Sequence, residues 1–323
     1  MRIAITGSNG FIGSRLTRYL LKQGHEVSSL TRAQADISLL PVKSCIIDVD
    51  YQDVNSLQEV FTRQDVVIHC AALTHANHWK DLQEANVHLT ETVVEAVNGC
   101  PHLAQFIFLS SQAAAGPSQK DKPRTEEDLP KPLTWYGRSK LLAEEVIRNR
   151  CLRPWTIIRP VMVYGPGDRT FLPQFQFLKR HLSVRLGWRE KYLSFIYVDE
   201  LNQLIELCLG QQNALHQVFY ASDGLIYPFR TFQEAAQNAV HTFSLNLTVP
   251  NSLLFTLAVA SEVRNRLATK PDIFNLQKFQ EITELYWTVS MDKARRLLGY
   301  NPRPNLSRNL HSTWLWYKEQ GWL

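Results

Sequence analysis

Tyr136 and Lys140 stand four positions apart in the run Trp135-Tyr-Gly-Arg-Ser-Lys140, a spacing that puts both side chains on one face of a helix. Their chemistries are complementary. A free tyrosine titrates at about pH 10, too high to exchange a proton efficiently at neutrality. A nearby ammonium favours the phenolate and lowers that value. A second group of residues, Gly7, Gly10 and Gly13, follows the apolar run Arg2 to Thr6, and Ile12, Leu16 and Leu20 then take up helical spacing. A strand, a glycine turn and a helix in that order let a backbone approach a pyrophosphate while the free N–H groups and positive dipole end of the helix face it. The first glycine gap is one residue longer than Gly-x-Gly-x-x-Gly. Taken alone, the glycines fit either a nucleotide cofactor or a turn without a ligand, and the Tyr/Lys pair fits either proton transfer or an exposed helical pair.

The elements that must position these residues alternate. Gly24 stops the first helix, and Glu26 to Leu30 reads as a second strand ending in Thr31-Arg32. An acid at that end holds the ribose 2′-hydroxyl of NAD, whereas arginine suits the 2′-phosphate of NADP. Arg32 therefore favours NADP, with NAD retained through Asp36 as the other reading. Ser44 to Ile47 forms a third strand with Asp48 at its carboxyl end, placed to meet an adenine edge. Asp65 to His69 is a fourth, followed by the small residues Ala71-Ala72. A helix spans Asn86 to Val97, and Phe106 to Leu109 is a fifth strand leading into Ser110-Ser111. The polar stretch Gly116 to Thr134 is an exposed loop, either leading to a site or merely connecting. Trp155 to Ile158 is a sixth strand. Strands separated by helices long enough for crossovers predict an α/β fold with a doubly wound parallel (Rossmann) sheet.

Composition narrows the function. The net charge of +5 is spread without a basic block, so nucleic-acid binding is not indicated. Cys45, Cys70, Cys100, Cys151 and Cys208 form no CxxC pair, and their odd number suits reduced thiols in a cytoplasm. A first strand that begins at Met1 leaves no room for a signal peptide, and no apolar run reaches the roughly 18 residues of a membrane span. A cytoplasmic protein is expected. His69, His75 and His78 lie near Cys70 without the spacing of a zinc site, so no metal is predicted. His75, His78 and Trp79 line the substrate side of a cleft or decorate a loop.

Seven segments in order resemble the extended, epimerase-like branch of the short-chain dehydrogenase/reductase superfamily. They are Thr6-Gly-Ser-Asn-Gly-Phe-Ile-Gly13, His69-Cys-Ala-Ala72, Asn86, Ser110-Ser-Gln-Ala-Ala-Ala-Gly116, Tyr136-Gly-Arg-Ser-Lys140, Arg159-Pro-Val-Met-Val-Tyr-Gly-Pro-Gly167 and Phe195-Ile-Tyr-Val-Asp199. The series covers about two-thirds of the chain, far more specific than any one motif. The resemblance implies Tyr136 as the acid/base, Lys140 on the nicotinamide ribose, Ser111 on the substrate oxygen and Asn86 supporting a proton relay through water. Ser111 stands five before Gly116, as the family serine does, with Ser110 the alternative. It further implies cofactor contacts from Gly7, Asn9, Gly10, Phe11, Ile12, Gly13, Arg32, Asp48, Val49, Ala71, Ala72, Ser110, Pro160 and Val163, besides Tyr136 and Lys140. A homodimer acting on a small-molecule substrate is implied as well.

By the same resemblance, residues 1–167 form a dinucleotide-binding domain with a returning strand near 217–222, and residues 168–323 form mainly a substrate lobe. Asp199 is read as the cap of a helix running to Leu209. One departure matters for the substrate. Sugar-nucleotide members carry Arg-Asp directly before the Phe-x-x-Val-x-Asp segment to grip a diphosphate, whereas Leu193 and Ser194 stand here, with Arg189 and Lys191 as substitute cations. Leu-Ser-Phe-Ile-Tyr-Val-Asp-Glu looks more like 3-beta-hydroxysteroid dehydrogenase-like members, as do Leu253 to Leu267, Lys270-Pro271 and Asp292 to Tyr300. The Leu253 to Leu267 run reads as an amphipathic core helix, with an apolar lid or peripheral membrane contact as alternatives. The expectation is an NAD(P)-dependent oxidoreductase, preferring NADPH, that interconverts a ketone and a secondary alcohol on a small or lipophilic substrate. A nucleotide-sugar epimerase or dehydratase with tightly held NAD(P) is the alternative.

Overall fold

The computed structural model describes residues 1–265 and 275–323. Seven parallel strands form its main sheet: β1 (Arg2–Thr6), β2 (Glu26–Thr31), β3 (Cys45–Asp48), β4 (Val66–His69), β5 (Gln105–Leu109), β6 (Trp155–Pro160) and the late strand Gln217–Ala221. In space they run from Gln217–Ala221 through β6, β5, β4, β1 and β2 to β3. The order reverses between β1 and β4, which opens a crevice beyond the strands' carboxyl ends, where open α/β sheets bind ligands. Gln217–Ala221 pairs with β6 as far as Ala221 opposite Pro160. That pairing carries β6 past Ile158, where the apolar run of the sequence ends.

Alternation along each strand explains why these strands read as unbroken apolar runs. Ile3, Ile5, Ile68 and Leu109 pack on one face against Leu16 and Leu20 of helix Phe11–Lys22 and Leu201 and Ile205 of helix Val198–Cys208. The intervening Ala4, Val67, Phe106 and Phe108 pack on the other, against Leu57, Phe61, Val93, Val97, Ala143 and Ile147. A sheet covered on both faces needs apolar residues at every position.

Helix Val198–Cys208 corrects one expectation. Its N-cap is Tyr197, whose N–H is accepted by Glu200 Oε2 at 3.4 Å. Asp199 lies inside the first turn and pairs with Arg15 at 2.8 Å, joining this helix to Phe11–Lys22.

The remaining segments surround a third apolar core that includes Phe175, Phe195, Phe232, Leu310 and Tyr317. Trp314 stacks on Phe175, and Trp322 packs against Trp316 and Tyr317, so the aromatic C-terminal stretch packs internally. Leu182–Leu186 and Leu245–Val249 pair in parallel; the alternation in LSVRL and LNLTV is the signal that marks both as strands. The stretch from Gly116 to Thr134 is strapped down. Ser118 and Arg124 donate backbone bonds to Tyr286 and Thr288, and Glu126 accepts the Tyr220 N–H. Helix Asn251–Asn265 buries Leu254 and Ala258 but leaves Leu253, Phe255 and Leu257 exposed, so it is not an amphipathic core helix. Leu267 and Lys270-Pro271 lie outside the described residues. Among the described residues no helix is long and apolar enough to cross a membrane.

Candidate active site

Helix Phe11–Lys22 begins directly after the glycine turn, with Gly10 as an N-cap that offers no side chain. Its first intrahelical bond runs from Ser14 N–H to Gly10 O, so the N–H groups of Phe11, Ile12 and Gly13 have no partner within the helix. A Cβ on Gly13 would lie 2.2 Å from Gly7 O. Only glycine allows the turn to close this tightly. The cradle, its free N–H groups and the adjoining cleft of about 1280 Å³ fit the pyrophosphate and adenosine of a dinucleotide.

Gly7, Asn9, Gly10, Arg32, Asp48, Val49, Ala71 and Ala72 all border that cleft. Asp48 faces Thr31 across the β2–β3 register and accepts its hydroxyl at 2.8 Å. Asp36 does not border the cleft; its carboxylate accepts the Ser38 N–H, which holds it below the usual carboxylate range. Asn9 donates to the Asp36 carbonyl at 3.1 Å and so fixes the loop that carries Arg32. Tyr51 is a wall residue that sequence reasoning missed. Its hydroxyl donates to Leu30 O at 3.0 Å and accepts the Gly7 N–H at 3.3 Å, and burial pushes it up to about 12. No motif marks it.

The catalytic candidates lie on helix Trp135–Arg150, capped by the Thr134 hydroxyl. A Cβ at Gly137 would meet Ala113 O at 2.3 Å, so glycine there lets this helix seat directly on the short helix Gln112–Ala115. That contact sets the helix capped by Ser111 against the helix that carries Tyr136. The Ser111 hydroxyl accepts the Ala113 N–H at 3.1 Å as the cap of helix Gln112–Ala115. Burial pushes Tyr136 up to about 12, and the Ser111 hydroxyl opposes that rise. Lys140 is almost wholly buried, its Nζ 4.1 Å from the centre of the Phe108 ring. Burial pulls it down to about 7, against the attraction of Cys70 and Glu144.

Ser110 is engaged elsewhere. Its hydroxyl donates to Glu144 Oε1 at 2.6 Å, and Glu144 is gripped by Arg159 through bonds of 2.8 and 2.6 Å, all buried. Asn86 sits in a π-helical segment, Gln83–His88, between helices Trp79–Leu82 and Leu89–Asn98. Its side chain accepts the Leu73 N–H and donates to Leu73 O and to Ser139 Oγ. Pro160 is buried at the end of β6, and Val163 lies on the short strand Met162–Tyr164 against the main core; neither borders the adenosine cleft.

Helix Leu276–Thr283 approaches the N-terminal end of helix Trp135–Arg150. Gln277 Oε1 accepts the Trp135 N–H at 2.6 Å, and the charge of Glu281 acts on both Tyr136 and His75. Arg138 lies over Trp79 at 5.2 Å. His69 is buried between Thr6 and Thr90, a structural role. Among the described residues no cluster could hold a metal.

The model of the NAD dependent epimerase/dehydratase family matches residues 3–220. Sterol-4-alpha-carboxylate 3-dehydrogenase, decarboxylating, of Dictyostelium discoideum is 25% identical, over 95% of this chain and 98% of that protein. A ceramide reductase of Caulobacter vibrioides is 26% identical, over 99% and 96%. The fold is shared with UDP-glucuronic acid 4-epimerase from Bacillus cereus, solved with UDP-glucuronic acid and NAD, at a TM-score of 0.78 and 22% identity over 99% and 100% of the two chains. The chain thus belongs to the NAD-dependent epimerase/dehydratase family, as an enzyme of the extended short-chain dehydrogenase/reductase type.

Proposed function

We propose that this enzyme is an NADPH-preferring oxidoreductase that interconverts a ketone and a secondary alcohol on a small or lipophilic substrate. One observation carries the reading: the short helix capped by Ser111 packs against Gly137, on the helix that carries Tyr136 and, one helical turn further along, Lys140. Ser111 orients the substrate oxygen. Tyr136 gives that oxygen a proton in reduction and takes it back in oxidation. A Lys140 ammonium would favour the phenolate. Ser110, held by Glu144, instead fixes the floor beneath Ser111. Asn86 is a positioning residue that fixes the cleft wall at Leu73.

The bound cofactor supplies or accepts the hydride. Gly7 to Gly13 would hold its pyrophosphate, and Asp48, Val49, Ala71 and Ala72 its adenosine end. NADPH preference is supported by Arg32 at the cleft while Asp36 is turned to Ser38. A lipophilic substrate is supported by the sterol and ceramide relatives. It is supported too by Leu193 and Ser194, buried where a diphosphate grip would require a cation. Steady-state NADPH oxidation against a panel of carbonyl compounds tests the proposal. Stoichiometric consumption supports it; conversion of a nucleotide sugar without net consumption would replace it with the epimerase reading.

A further inference from the structure

Helix Asn251–Asn265 holds no charged residue from Asn251 to Ser261, yet most of its apolar side chains point outward. Leu253, Phe255 and Leu257 are each 50% exposed. The apolar surface continues beyond the helix. Gly187 abuts Asn251, which places Trp188, 71% exposed, beside the start of the helix. The neighbouring strand pair Leu182–Leu186 and Leu245–Val249 exposes Leu245 and Leu247, and Phe243 lies just before it, stacked on His181. Scattered single apolar residues on a surface are ordinary; a contiguous patch of this kind marks an interaction site.

Charge decides what it meets. The segment from Lys179 to Lys191 carries Lys179, Arg180, Arg185, Arg189 and Lys191 against the single acid Glu190, and Lys179, Arg180 and Arg189 are exposed. Two copies facing each other through this surface would bring like charges together, on a chain whose net charge is already +5. An anionic surface removes that repulsion. An exposed tryptophan, the exposed apolar side chains of the helix and the adjoining strand pair, and cations on the flanking segment suit contact with an anionic lipid interface.

We propose that this face docks on the surface of an anionic lipid bilayer. The inference is independent of the substrate, and none of the residues it uses belongs to the catalytic group. The test is co-sedimentation of the full chain with vesicles of phosphatidylcholine alone and of phosphatidylcholine mixed with phosphatidylglycerol, with thermal unfolding confirming that each variant folds. The wild type is expected to bind the mixed vesicles and to release as salt rises. Arg180→Gln with Arg189→Gln should weaken binding about tenfold or more. Leu253→Gln with Leu257→Gln, or Trp188→Ser alone should either pair prove unstable, should weaken it comparably while turnover of a water-soluble carbonyl substrate stays unchanged. Absence of vesicle binding by the folded wild type overturns the proposal, as does binding unmoved by the apolar variants. Self-association abolished by Leu257→Gln, without vesicle binding, would overturn it in favour of a second copy.

Discussion

Burial of Lys140 has a thermodynamic consequence that can be read without any substrate. In the unfolded chain this lysine titrates at its ordinary 10.5, and in the folded protein at about 7. Between those values the unfolded chain holds a proton that the folded chain lacks, so this residue makes stability rise with pH. Below about pH 7 both states are protonated and the cost of the buried ammonium is complete, on the order of 5 kcal/mol. It declines by about 1.4 kcal/mol for each pH unit above 7 and is gone beyond the unfolded value. Lys140→Met removes the titration and keeps the bulk. Denaturant unfolding of both proteins without cofactor, at several pH values from about 6 to 9, gives the difference in stability. The variant's advantage should be constant below pH 7 and should then shrink with the stated slope, whatever constant offset methionine packing adds. A difference that does not change with pH would show that Lys140 keeps an ordinary pKa in the fold and is not desolvated there.

Other substitutions probe separate parts of the site. Tyr136→Phe should lower kcat by about a hundredfold or more while fluorescence titration shows NADPH affinity little changed; retained turnover would remove the tyrosine from the chemistry. Arg32→Asp should weaken NADPH by about tenfold or more and NADH far less, and equal losses would detach Arg32 from the 2′-phosphate. Glu144→Gln leaves the buried Arg159 without its counter-charge and should cost about 3–5 kcal/mol in unfolding free energy. A neutral result there would mean that the Arg159 guanidinium, held by Glu144 at 2.6 and 2.8 Å, is not left as an uncompensated buried charge.

Parts of the site were legible because they are local. The glycine turn, the alternating strands and helices and the four-residue step from Tyr136 to Lys140 are written in neighbouring residues, and the forces that read them act over one turn or one strand. Misreadings arose where local and distant partners compete. Asp199 suits a cap by position, but Arg15 claims it from 184 residues away. The run beginning at Leu253 has core composition, yet the fold leaves most of it uncovered.

Type and order of residues therefore determined by themselves that this chain folds as a doubly wound sheet with a glycine turn, and they nominated a tyrosine, a lysine and two serines. Tertiary structure alone gave the Ser110 hydroxyl to Glu144 and set the helix capped by Ser111 against the helix that carries Tyr136. It alone put Tyr51 on Gly7, Gln277 on the start of helix Trp135–Arg150 and Lys140 out of reach of water. The reason is physical: a hydroxyl's partner and an ammonium's solvation are set by whatever packs against them, and those neighbours come from segments tens to hundreds of residues away, which local patterns do not encode.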